Sequence, residues 1–328
     1  MQPIFQIIAD SEDITAKIKD RLLRLSVVDE RGQQSDQLEI QLDDRDNAIA
    51  LVATGVLLEV ALGKRDNNGK TALHPMGWFT VDEIELSGPP DSYTIRAKAA
   101  DMRATMKQQR TRNWDDTTIA AIVATIAQLY SLQPRVSPTL GQIQIPHLAQ
   151  TEESDLHLLT RLAREHDAVT KPANGFLLFV PKGEARTASG KQLPPTTIYK
   201  HQCSRWRVVM ADRSKYSAVI THWQNTETGV RTPERVGSGE PIYTLRGTRK
   251  DKAAAQQAAK AKLSALQRGA STGDFQIKGG ELALMAEAPV TLAGWREGIN
   301  GNWVATRVEH RLDNNGLLTL ADVETPKR

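Results

Sequence analysis

Three carboxylates fall within four positions at Glu152, Glu153 and Asp155. Two carboxyl groups in a cleft are what glycoside hydrolysis needs, one to protonate the leaving oxygen and one to act as base or nucleophile. The same residues also open a helical pattern, where acidic side chains complement the helix dipole and cap free amides, and that role accounts for the whole cluster. His310 lies between Val308 and Leu312 in an alternating run, the setting of a hydrogen-bonded structural histidine rather than a proton shuttle. His201 and Cys203 stand two apart, without the second cysteine pair or nearby histidine that a structural zinc site requires. Gly190 and Lys191 end the run GEARTASGK, but Gly183 is too far away, Gln192 replaces the Ser or Thr of a phosphate loop, and no helix follows. Ser238 in VGSGEP lacks the glycine two places earlier that a nucleophile elbow uses. These patterns yield no catalytic residue, no cofactor-binding residue and no metal ligand.

The elements around these residues are mostly strands. PIFQII, RLLRLSVVD, QLEIQLDD, GVLLEVALG, GWFTVDEIEL and SYTIRAKA are strand-like, with a Gly32 turn between the second and third and Gly88, Pro89 and Pro90 in the last hairpin. In QLEIQLDD, Leu38, Ile40 and Leu42 alternate with polar residues, giving one buried and one wet face. From Trp114 the period changes: Asp115 or Asp116 can cap a helix whose Ile119, Ile122, Val123 and Ile126 share a face. A second helix starts near Glu152, with Leu156, Leu159, Leu162 and Ala163 on one side, and GFLLFVP follows as a buried strand. GEARTASGKQLPPTT reads as an exposed loop or crossover.

After it come strands SRWRVVMA and YSAVITHW, then an alanine-rich helix opening at Thr248, with Asp251 at capping-box spacing, and closing at Gly269. Its Ala255, Ala258, Ala259 and Leu266 form a narrow face, while Lys250, Lys252, Lys260 and Lys262 point to solvent. WVATRVEHRL and LLTLADVE make a hairpin through Asp313, Asn314, Asn315 and Gly316, with Val304, Thr306, Val308, His310 and Leu312 on one face.

With 328 residues, two or three packed units are expected. The formal charge of +3 comes from 42 basic and 39 acidic residues that alternate along the chain, and aromatic residues make up only 5%, which argues against a nucleic-acid face. A single cysteine excludes an intrachain disulfide, and no apolar run approaches the roughly 20 residues a membrane helix needs. Synthesis in the cytoplasm and no membrane partner are the expectations.

Five stretches resemble, in order, the late control gene D protein family of contractile-tailed phages: SVVDERGQQSDQLEIQLDDRD, GWFTVDEIELSGPPDSYTIRAKAADMR, NWDDTTIAAIVATIA, QTEESDLHLLTRLAREHDAV and GNWVATRVEHRLDNNGLLTLADVE. Members are baseplate hub proteins. The resemblance implies a β-dominated α+β chain in which two tail-tube-like antiparallel β-barrels, 1–98 and 201–328, flank a mixed α/β middle, 99–200, with the helix at about 249–268 inserted in or flanking the second barrel. It implies a non-enzymatic homotrimer presenting six barrels to a sixfold tail tube and binding a threefold spike below. The other implied partners are further baseplate proteins and the tape measure protein, within the tail baseplate of a virion or tailocin particle. Glu153, Ser154, Asp155, Trp303, His310 and Gly316 fall on the family's recurrent motif and are assigned structural roles. The chain ends at LADVETPKR, so the spike is expected to be a separate protein. The competing expectations are a peptidoglycan-active tail enzyme and a hub or adaptor of a type VI secretion system.

Overall fold

The computed structural model describes residues 2–31, 36–99, 106, 108–173, 175–182, 195–210, 216–225, 228–267 and 271–326. The Gly32 turn, Gly269 and the residues Gly183, Gly190, Lys191 and Gln192 lie outside the described residues.

Strands dominate the first hundred positions: β1 (Gln2–Ala9), β2 (Glu12–Asp13), β3 (Leu22–Glu30), β4 (Gln37–Asp43), β5 (Leu57–Arg65), β6 (Thr71–Ser87) and β7 (Ser92–Ala99), with the short helix α1 (Thr15–Ile18) after β2. The alternation expected in β4 holds, with Leu38, Ile40 and Leu42 buried against Leu25 and Val27 of β3. Each such fully buried aliphatic side chain contributes about 1.5–3 kcal/mol over an exposed one. Tyr93 of β7 is buried, and its hydroxyl accepts from the amide of Val52 at 2.9 Å.

The middle begins with β8 (Gln109–Thr118), and this overturns the expected helix cap. Trp114 to Thr118 are strand because β8 forms an antiparallel ribbon with β10 (Gln144–Ser154), so Asp115 and Asp116 precede the helix by several residues. Helix α2 (Ile119–Leu129) is capped instead by Thr118, whose hydroxyl accepts from the Ala121 amide at 3.2 Å. Ile119, Ile122, Val123 and Ile126 are buried as expected. β9 (Gln133–Val136) and the short α3 (Pro138–Gly141) lie between α2 and β10. Helix α4 (Asp155–Glu165) then buries Leu158, Leu159, Leu162 and Ala163, with Leu156 only partly covered. β11 (Ala168–Ala173) and β12 (Phe176–Pro181) join β9 in a three-stranded sheet behind these helices.

The last stretch runs β13 (Thr196–Tyr199), β14 (Cys203–Met210), β15 (Ala218–Gln224), β16 (Arg231–Gly237), β17 (Ile242–Arg249), helix α5 (Lys252–Gln267), β18 (Ser271–Lys278), β19 (Pro289–Ala293), β20 (Gly301–Asp313) and β21 (Gly316–Glu324). Helix α5 begins after Asp251, whose carboxylate accepts from the Ala254 amide at 2.7 Å, while Thr248 remains in β17. It lies on the small sheet β16–β15–β17 with Ala255 and Ala259 buried; Lys262 sits 4.7 Å from the Tyr243 ring rather than standing free in solvent. The expected shared face of β20 is interrupted. A bulge at Thr306 shifts the alternation, so Trp303 and Ala305 share a core with Val308, while Val304 and Thr306 do not.

The large sheet follows the order β14–β18–β21–β20–β3–β4–β7–β6–β5–β1–β2, with β19 also on β20 and β13 on β19. It is one antiparallel-dominated sheet, in place of two separate barrels: β3 and β20 pair directly over Arg24–Glu30 and Arg307–Asp313, and no barrel closes among the described residues. The sheet contains the same six-strand arrangement twice. In chain order, β1, β3, β4, β5, β6 and β7 lie side by side as second, third, sixth, fifth, fourth and first; β13, β14, β18, β19, β20 and β21 take the same places, although β13 runs parallel to β19 whereas β1 runs antiparallel to β5. Each copy has a bulge early in its second strand, at Leu22/Arg24 and at Cys203/Arg205, and another within its fifth, at Val81/Glu83 and at Ala305/Arg307.

A buried cluster fastens the middle to both ends. Lys171 of β11 donates to Asp29 at 2.9 Å and Asp36 at 2.7 Å, and the second Asp29 oxygen accepts from the Ala286 amide at 2.8 Å. Two carboxylates share one ammonium, so burial and the Asp29 charge push Asp36 up to about 6 despite Lys171. Burial lowers Lys171, but its two carboxylate neighbours leave it raised on balance. The folded chain therefore keeps the Asp36 proton to about pH 6, whereas the unfolded chain loses it near pH 4. Between those values the folded state binds the extra proton, so stability falls as pH rises through the window. Thermal unfolding across pH 4 to 7 is expected to show that decline in the wild type and a flatter profile in Asp36→Asn. Lys171→Ala, which strands both carboxylates, is expected to cost about 3–5 kcal/mol.

Candidate functional site

The acidic cluster lies where β10 runs into α4. A bulge between Gln150 and Glu153 turns the strand, and Glu152 takes a left-handed conformation with φ of 48° while its amide donates to the Thr111 hydroxyl at 3.1 Å. Ser154 is the N-cap, its hydroxyl accepting from the His157 amide at 3.2 Å. That turn sends Asp155 inward and leaves Glu153 at the rim.

Asp155 has no exposed surface. Its carboxylate accepts from the Tyr130 hydroxyl at 2.7 Å and the Gln150 side-chain amide at 2.8 Å, pairs with the Arg112 guanidinium, and lies 3.5 Å from Arg110. Gln150 is itself buried and accepts from Arg112 at 2.8 Å and from the Trp114 indole at 3.2 Å; the Arg112 guanidinium also stacks 4.3 Å from the Trp114 ring. Both carboxylate oxygens are engaged by the protein. Burial and the Asp155 hydrogen bond raise the Tyr130 hydroxyl, so it stays a donor at neutral pH.

Glu153 accepts from Arg161 at 2.6 and 3.1 Å and lies 2.8 Å from His157. The Arg161 hydrogen bonds hold its carboxyl below the usual range. A general acid needs the opposite shift, towards neutrality. Glu153 and Asp155 are thus two anchored carboxyl groups, one clamped at the rim and one sealed in the core, rather than an acid and a base across a cleft.

The remaining motif positions are also engaged internally. The Trp303 indole donates to the Ile299 carbonyl at 2.8 Å. His310 lies 3.0 Å from the Leu284 carbonyl through Nε2 and 2.8 Å from the Thr319 hydroxyl through Nδ1. A carbonyl can only accept, so Nε2 carries the proton and Nδ1 accepts from Thr319; burial lowers the imidazole pKa and keeps it neutral. Gly316 closes the two-residue turn at Asn314 and Asn315 with φ of 99°, a conformation a side chain resists. Ser238 stands exposed in the turn between β16 and β17. Cys203 donates to the Tyr199 carbonyl at 3.7 Å, and burial pushes its thiol up to about 11, away from the thiolate a metal or a nucleophile needs. Among the described residues, no three His, Cys, Asp or Glu side chains are grouped to hold a metal ion. Nor is any helix among them long and apolar enough to cross a membrane.

Sequence reasoning missed the polar face of the large sheet. A cleft of about 410 Å³ runs across β20, β3, β4, β7 and β6, floored by residues including Arg24, Glu39, Arg96, Glu309 and Arg311. Glu39 accepts from Arg24 and Arg96 on the strands either side, whereas Glu309 accepts from Arg307 and Arg311 of its own strand and from Ser26 of β3. Alternating charge along each strand was legible; which strands lie side by side was not.

The order and spacing of these internally satisfied elements match a known group. Residues 36–316 match the family described as phage tail baseplate hub (GPD). The chain belongs to that family. It is 34% identical to the "Probable baseplate hub protein" of Escherichia phage P2, over 99% of this chain and 93% of that protein. Identity to the corresponding protein of Escherichia phage 186 is also 34%, with the same coverage. The GPD fold extends to more distant structures. A 43 kDa tail protein of prophage MuSo2 from Shewanella oneidensis superposes with a TM-score of 0.73 at 12% identity, covering 98% of each chain. A tail protein from Neisseria meningitidis gives 0.70 at 11%, covering 99% of this chain and 97% of that one. A type VI secretion component of Escherichia coli gives 0.56 at 13%, covering 94% of this chain and 74% of that one.

Asp155→Ala leaves Arg112, Gln150 and Tyr130 without their shared acceptor inside the middle core. The expected loss is about 3 kcal/mol, read from denaturant unfolding. Tyr130→Phe removes one donor only and is expected to cost about 1–2 kcal/mol.

Proposed function

We propose that this chain is the structural baseplate hub of a contractile phage tail or tailocin, and that it acts as a ring of three copies without catalysing a reaction. Membership of the hub family carries the reading. The repeated six-strand arrangement supports it: three copies would supply six similar units to a sixfold tail tube above, with a threefold spike held below. On this reading the units correspond to residues 1–98 and 201–328, the second completed by β13 (Thr196–Tyr199) from just before it, and are tube-like in role though not closed barrels in the isolated chain. Residues 99–200, apart from β13, form the domain between them. The partners are the tail spike, the tail tube, other baseplate proteins and the tape measure protein.

Glu153, Ser154, Asp155, Trp303, His310 and Gly316 serve to hold elements in place. The geometry of Glu153 and Asp155 weighs against a peptidoglycan-active enzyme, because neither is a proton donor open to substrate. The likeness to a type VI secretion component is one of fold at 13% identity, and adds no reason to prefer that setting.

Native mass measurement of the chain co-produced with its spike and tube proteins is expected to give a threefold assembly. Glu153→Gln is expected to assemble like the wild type, and neither protein should release fragments from purified peptidoglycan. Peptidoglycan cleavage lost in Glu153→Gln with assembly intact would sink the non-enzymatic reading.

A further inference from the structure

The two six-strand units differ in what lies against the outer edge of the fifth strand. In the second unit, the first part of β20 pairs with β19 and the remainder, Arg307–Asp313, pairs with β3 of the first unit. In the first unit, β6 pairs with β5 through Thr80, and beyond Val81 that edge, residues 82–87, meets no strand among the described residues. Among the described residues β14, the counterpart of β3, likewise pairs only with β18 and is open on its other side. An open strand edge is a template for another strand.

The registers give the correspondence between units without any sequence alignment. Leu25, Ile40, Ile95 and Ile84 oppose one another across β3, β4, β7 and β6. Trp206, Phe275, Ala321 and Val308 do so across β14, β18, β21 and β20. Matching these rungs makes Ile84 the counterpart of Val308, and Met210 that of Asp29. Because Val308 opposes Asp29 in the internal junction, Ile84 would oppose Met210. His310 opposite Val27 becomes Leu86 opposite Val208; Glu309 opposite Val28 becomes Glu85 opposite Val209; Arg311 opposite Ser26 becomes Ser87 opposite Arg207.

We infer that β6 of one copy pairs antiparallel with β14 of the next in this register, so that a second copy of the chain occupies the open edge and repeats the internal β20–β3 junction between chains. The inference rests on the ring reading above and specifies its contact. Side-chain chemistry fits on both faces. Leu86, Trp206 and Met210 are 58%, 37% and 54% exposed in the single chain, and the register brings them together on the core side, where Leu25 and Val308 lie in the internal junction. On the polar side Glu83 and Glu85 meet a strand carrying Arg205 and Arg207. Both glutamates already contact Arg96, whereas neither arginine has an ion-pair partner among the described residues. Glu309 accepts from Ser26 across the internal junction at 2.9 Å, and the equivalent pair between chains is Glu85 with Arg207. Each chain then has one internal and one external junction, and the assembly closes head to tail.

The test is a disulfide between the opposed positions. In a Cys203→Ser background, the double variant Leu86→Cys with Val208→Cys is co-produced with the spike and tube proteins, oxidised and run without reductant. A covalent oligomer of the same copy number as the native ring is expected, with little product from the displaced pair Leu86→Cys with Ser204→Cys. Independently, Glu85→Arg and Arg207→Glu should each weaken assembly about tenfold or more, and their combination should restore it. If wild-type rings form but the opposed pair links no better than the displaced one, or the charge swap gives no rescue, the pairing is wrong and the ring stands. If the wild type stays monomeric beside its tail proteins, the ring reading falls and the pairing with it.

Discussion

The fold depends on the antiparallel pairing of β3 with β20, which brings together segments nearly 300 positions apart in the chain. Backbone hydrogen bonds set the contact, and side chains on both faces fix its register. On the polar face Ser26 donates to Glu309, and Arg307 to Glu30. At the end of the strand Arg31 contacts Glu287 and Glu324, while Asp29 anchors Lys171 from the middle and the Ala286 amide from the last stretch. A slip of one residue would turn every one of these groups to the wrong face. The middle domain, through Lys171, is therefore positioned by the same strand that joins the two ends.

Much of this was legible locally and little of it globally. Leu38, Ile40 and Leu42, and the Asp313–Gly316 turn, announce their structure within a few residues, because strand period and turn chemistry are local properties. The features that escaped are those decided by a distant partner. Trp114 to Thr118 look like the approach to a helix and are strand because β10 pairs with them. Thr306 interrupts the face of β20 because a bulge there lets one strand serve β19 and then β3. Two barrels were expected and one continuous sheet is found, since nothing in the residues of β3 or β20 alone says that they meet.

The acidic cluster illustrates the same point for chemistry. Glu153 and Asp155 are the residue types a hydrolase would use, at a spacing that permits it, and local sequence cannot distinguish that from a helix start. Partners from elsewhere decide: Arg112 and Tyr130 seal Asp155, and Arg161 holds Glu153 as an anion. Asp36 shows how context also works in the other direction. Its pKa is raised, the kind of shift sought in active sites, but it arises because two carboxylates share Lys171 at a structural junction.

The duplicated arrangement explains where the chain tolerates additions. The second unit carries β15, β16, β17 and α5 between its second and third strands, where the first unit has only the short connection from β3 to β4. That insertion packs its own small core around Val219, Ala255 and Ala259 and adds no strand to the large sheet. The middle domain likewise enters between β7 and β13, after the last strand of one unit and before the first of the next. Both additions leave strand order, bulge positions and rung matching intact. A sheet whose edges must align cannot absorb an extra residue within a strand without reversing its faces, whereas a connection can absorb a whole subdomain at small entropic cost. The two units have therefore diverged in their connections and in the direction of their first strand, while keeping the geometry of β3, β4, β6 and β7 in β14, β18, β20 and β21 that lets one unit continue into the other.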